Sequence, residues 1–189
     1  MDKTNEADKG KKILEVLRWV GQFYKEITQF IQTVDNLMSK EGWQPLYSNP
    51  VTAGGSSSLD HPEQWFPYMN FRVYFKKDNP DLIKGITLSY DFEKREQPII
   101  IAGTIEKKAK WLRDYDYWVI LDLWVTDENQ TKKRDGTVYS KFSCTKGKRN
   151  CYVDTSIIKK AELFAYNLTD IRNENDIKNK ITNKLLELK

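Results

Sequence analysis

Apolar residues near the start of the chain recur at alternating steps of four and three: Ile13, Leu17, Val20, Tyr24, Ile27, Ile31, Val34 and Met38. A second row, Val16, Phe23, Phe30 and Leu37, runs beside the first every seven residues. Together they form a stripe roughly 120° wide, the mark of a helix laid on a core, and predict a long amphipathic helix over 11–41. Gly42 follows Lys40-Glu41 and supplies a stop, since glycine tolerates the left-handed backbone that closes a helix. Residues 1–10 are polar with mixed charge, and read as a disordered tail.

Further along, the period changes to two. Met69, Phe71, Val73 and Phe75 alternate with Tyr68, Asn70, Arg72 and Tyr74, and Ile86, Leu88, Tyr90 and Phe92 alternate with polar neighbours. Such alternation predicts strands with one buried face. The unbroken run Ile99-Ile100-Ile101-Ala102 predicts a central strand covered on both sides. Strands are also expected over Asp116 to Thr126, from Thr137 to Ser143 after the Asp135-Gly136 turn, from Cys151, and from Glu162 to Leu168. Residues 155–161 fit either a short helix or a loop. The short polar links favour an antiparallel meander.

Residues 48–67, with three prolines, two glycines and a serine run, defeat both periods and read as a long loop. Asn173, with Asp176 three residues on, resembles an N-cap for a last helix over 174–188, apolar at Ile177, Ile181, Leu185 and Leu188. The expectation is therefore a single α+β domain over 11–189. An antiparallel sheet of six to eight strands, spanning 68–168, would be covered on one face by the long N-terminal helix and the C-terminal helix.

Composition narrows the setting. The 189 residues suffice for one domain with its own core. Charged residues make up 31% of the chain and mean hydropathy is −0.69, which argues for solubility and against a membrane span. The polar start carries no secretory pattern, so a cytoplasmic location is expected. Cys144 and Cys151 are then expected to be reduced, although a hairpin could bring them together. Positive charge gathers in the middle: thirteen Lys or Arg stand against eight Asp or Glu from Thr104 to Lys160.

Candidate chemistry is sparse. His61 is the only histidine, which excludes histidine triads and multi-histidine metal sites. Pro80-Asp81 followed by Glu106-Lys107-Lys108 resembles the PD-(D/E)xK nuclease signature. The resemblance implies carboxylates Asp81 and Glu106 holding Mg²⁺, with Lys108 supporting the attacking water. A turn near Lys94–Gln97 would set Glu106 opposite Gly85 or Ile86, however. Asp81 would then lie four or five residues further out, roughly 15 Å too far.

Lys132, Lys133 and Arg134, with Lys146, Lys148 and Arg149, form a basic patch on expected hairpin turns, suited to phosphate-rich partners. A pocket is expected where Trp65, Tyr68, Arg72, Asp122 and Trp124 converge, with Arg72 and Asp122 as a buried ion pair. No motif specifies an enzyme. The leading expectation is a non-enzymatic binding or protein-interaction module that requires no cofactor. Its N-terminal helix would dock a protein partner or a second copy. The alternative is nucleic-acid binding or Mg²⁺-dependent nuclease activity.

Overall fold

The structure is a computed structural model describing residues 3–46, 52–53, 59–60, 67, 69–90, 96–107, 120, 131–132, 138–143 and 158–188. Helix α1 spans Lys3–Lys40, 38 residues or about 57 Å of rod. It begins eight residues ahead of the expected start, inside the stretch read as a tail. Those eight residues, about two turns, hold Lys, Glu and Ala among polar neighbours, and they propagate a helix without any apolar periodicity to betray it.

The predicted stop holds. Gly42 has φ 79°, Trp43 N–H donates to Met38 O at 3.1 Å and Gly42 N–H to Ser39 O at 3.0 Å. This is a Schellman closure, and its two apolar ends, Trp43 and Met38, are both buried.

Among the described residues, five strands of six residues or more form the sheet, fewer than the six to eight expected. They are β3 (Met69–Lys76), β4 (Asn79–Ser89), β5 (Ile99–Lys107), β7 (Val138–Ser143) and β8 (Ile158–Asn167). Two-residue pairings extend the edges: β1 (Gln44–Pro45) and β2 (Thr52–Ala53) on β3, and β6 (Thr131–Lys132) on β7. The strand expected over Asp116 to Thr126 lies outside the described residues apart from Ile120.

All described pairings are antiparallel, but the order is β1-β3-β4-β5-β8-β7-β6, so the meander breaks after β5. The next strands in sequence, β6 and β7, lie toward the far edge, and β8 is inserted between β7 and β5. Burial explains the choice. Ala161, Leu163 and Ala165 on one face of β8, and Phe164 and Tyr166 on the other, are all buried. A strand apolar on both faces is most stable inside the sheet.

Helix α1 packs on the face carrying Asn70, Arg72, Tyr74, Ile86, Leu88, Ile100, Ala102, Phe164 and Tyr166. The alternation in β3 had marked this as its polar face. Ile27, Phe30, Ile31, Val34 and Met38 fill that layer, joined by Ile177, Ile181 and Leu185. The last three lie on the C-terminal helical segment 174–187, which we call α2. Its middle, Ile177–Thr182, is a wider π turn. The Asn173 side chain caps α2 as expected, accepting from Asp176 N–H at 3.0 Å.

The opposite face of the sheet is buried as well. Phe71, Val73, Ile83, Ile101, Ile105, Leu163 and Ala165 are all closed off, and Ile120 lies over Gly85.

Candidate functional site

The register between β4 and β5 differs from the expected one. Ser89 pairs with Ile99, which centres the connection on Lys94, and Glu106 faces Leu82. Asp81 is therefore one residue beyond the pair of Glu106, not four or five. Strand alternation nonetheless sends Asp81 to the face opposite Glu106. The Glu106 carboxylate accepts from Lys159 Nζ at 2.5 Å, while Asp81 is exposed. Lys108 lies outside the described residues. Among the described residues, no three of His, Cys, Asp and Glu gather closely enough to hold a metal ion. Of the basic patch, Lys132 sits in β6, and Lys133, Arg134, Lys146, Lys148 and Arg149 lie outside the described residues.

Arg72 is paired with Asp35 on α1; Asp122, the partner expected for it, lies outside the described residues. Arg72 Nε donates to Asp35 Oδ1 at 3.0 Å and Nη2 donates to Oδ2 at 2.7 Å. The Tyr74 hydroxyl donates to Asp35 Oδ1 at 2.8 Å. Arg72 and Tyr74 alternate onto one face of β3, and α1 brings a single carboxylate down between them. Burial, and then the charge of Asp35, push the Tyr74 hydroxyl well above its ordinary range. This latch fixes the rotation and height of α1 on the sheet. The signal in the chain is one acid beside the apolar stripe, next to Val34. Of the expected pocket, only Arg72 is described; Trp65, Tyr68, Asp122 and Trp124 lie outside the described residues.

A second anchor holds the other end of the helical layer. Lys84 is buried in β4, and its Nζ donates to Leu185 O and Leu188 O at 2.6 Å each. It also lies 5.2 Å from the centre of the Trp43 ring. The ammonium thus satisfies carbonyls that the end of α2 leaves without helical donors. Burial, and then the nearby Lys76, bring its pKa down to about 8.

Among the described residues, the first half of α1 carries most of the exposed large hydrophobic side chains. The apolar stripe is continuous in sequence but divided in space. Ile27, Phe30, Ile31, Val34 and Met38 are at most 8% exposed, whereas Ile13, Leu14, Val16, Leu17 and Trp19 are 51–67% exposed. The divide falls at Phe23 and Tyr24. The Phe23 ring meets Tyr90 edge-on at 5.2 Å, and the Tyr24 hydroxyl donates to Pro67 O at 3.4 Å. Trp19 stacks on Phe23 at 5.7 Å, the last ring of the body supporting the first of the projecting half. Beyond it, Lys12, Ile13, Val16, Leu17 and Val20 line a shallow apolar depression. Exposed apolar patches larger than a few hundred Å² mark interaction surfaces.

Compared with protein-family models, curated proteins and solved structures, the chain gives no match. No described helix is long and apolar enough to cross a membrane.

Proposed function

We propose that the protein is a non-enzymatic interaction module whose docking surface is the projecting half of α1, about residues 9–22. The carrying observation is the division of one apolar stripe, buried from Ile27 onward and open from Ile13 to Trp19. A helix of this length is not needed to cover the sheet. Its sheet-bound half is locked by the Arg72–Asp35–Tyr74 latch, so the free half is presented in a fixed direction. Docking on such a surface loses little entropy, which favours affinity.

Photo-cross-linking tests this reading. Benzoylphenylalanine at position 16, on the stripe, is expected to yield adducts with another polypeptide. The same group at position 22, on the polar back of the helix, is expected to yield none. Excess wild-type protein should compete the adducts away, while the Leu17→Asp variant should not. Equal labelling at 16 and 22, or adducts insensitive to competition, would rule out the seam as a docking surface.

A further inference from the structure

We infer that the last turn of α2, residues 183–188, is a strap whose closure over β4 is coupled to release of a proton from Lys84.

The tie between strap and sheet is one amine. Lys84 is 2% exposed, and its Nζ donates to Leu185 O and Leu188 O at 2.6 Å each. Leu185 is the buried side chain of the turn. Upstream, the turn joins the body through the π segment Ile177–Thr182, where the Thr182 hydroxyl is buried with no hydrogen-bond partner. A wide turn inside a helix is a common mark of a working segment. The unmatched hydroxyl lowers the cost of opening beside it, because water would satisfy it.

A buried amine rests either neutral or charged beside an anion. Among the described residues, no anion is at hand. Tyr74, the pair of Lys84 on β3, is un-ionised and donates to Asp35. Glu106 on β5, two residues along from the paired Thr104, is held by Lys159. On α2, Lys184 donates to the Tyr166 hydroxyl and Glu187 is exposed, as is Glu41 beyond α1. The charge that does act on Lys84 is a like one, Lys76, whose Nζ also lies 5.2 Å from the centre of the Trp43 ring. Burial and Lys76 both favour the neutral amine. The two carbonyls oppose them only weakly, since a neutral amine keeps two N–H groups, enough for both.

With the turn closed, Lys84 titrates at about 8; with the turn open and water around it, the amine returns to its ordinary 10.5. The open turn therefore binds more protons between those values. Closure tightens as pH rises from about 8 toward 10.5 and is loosest below 8. From pH 7 to pH 9 the open fraction is expected to fall about tenfold.

Hydrogen exchange of the backbone amides of Leu185 to Leu188, corrected for the intrinsic rate, reads that fraction in the full chain. The wild type is expected to show the fall of about tenfold, and Lys84→Met to show none. In parallel, the Cε resonance of Lys84 in protein labelled with carbon-13 lysine is expected to titrate at about 8. Lys76→Met, at a half-buried position, is expected to move that midpoint upward. An open fraction that stays level or rises with pH would overturn the inference, as would the same fall in Lys84→Met. If Lys84→Met does not fold, the titration decides. A Lys84 midpoint of about 10 or above would overturn the coupling, because the closed turn would then bind the proton as readily as the open one.

Discussion

Asp35→Ala is expected to cost about 3–5 kcal/mol of stability, because it takes the bidentate carboxylate away from the buried Arg72 guanidinium. The Arg72 side chain is 8% exposed and that of Asp35 is 24% exposed, so solvent softens the loss toward the lower end of that range. The Tyr74 hydroxyl, which donates to the same carboxylate, loses its acceptor at the same stroke. The loss of two charge-assisted hydrogen bonds to a buried guanidinium carries most of the cost. Replacing both ends together, Asp35→Leu with Arg72→Met, is therefore expected to recover much of it, since apolar replacement of a buried pair is often close to neutral. Urea titrations of the wild type, both single variants and the double variant would measure this. A loss under about 1 kcal/mol for Asp35→Ala would mean that water reaches Arg72 and that the latch does not orient α1.

The second large effect lies on the far face of the sheet. Gly85 pairs with Gly103, and Gly103 with Leu163, so three adjacent strands share one layer where two side chains are missing. A Cβ at Gly103 would stand 2.3 Å from Leu163 Cδ2 and 2.5 Å from Glu162 O. The first atom can swing aside, but the second belongs to the neighbouring backbone, and moving it means parting β5 from β8. Gly103→Ala is expected to cost about 3 kcal/mol or more, the upper end of overpacking effects. At Gly85 the closest atom is the flexible Ile120 Cδ1 at 2.4 Å, and the nearest backbone atom, Arg72 O, is at 3.0 Å. Gly85→Ala is expected to cost clearly less, about 1 kcal/mol. Thermal unfolding of the two variants should rank them in that order; the reverse order would mean that β5 and β8 are not packed as described.

Strong local periods were legible: the stripe of α1, its Gly42 stop, the alternation of β3 and β4, and the Asn173 cap. Each is a short-range pattern set by helix or strand geometry. The strand order was not legible, because it turns on which of two later strands buries more surface beside β5, a competition between distant segments. The β4–β5 register moved by three or four residues, since the connection centres on Lys94 and no sharp turn residue marks it. Alternation in β3 suggested that the Asn70–Arg72–Tyr74 face was solvated. The Asp35 carboxylate makes that face a helix-bearing one, and nothing local to β3 announces it. Of the candidate site, the helix was visible as a seam. Its division into a buried and an open half depends on where the sheet ends, which only the tertiary structure defines.

The central claim is that the first half of the α1 seam contributes nothing to the core, and thermal unfolding of matched charge insertions tests it most directly. The Val16→Asp, Leu17→Asp double variant is expected to melt within about 2 °C of the wild type, as surface substitutions do. Val34→Asp, which places an unpaired charge in the buried half, is expected to lower the melting point by roughly 10 °C or more. A drop for the double variant comparable to that of Val34→Asp would show that residues 13–20 are packed within the chain itself, and would remove the docking surface.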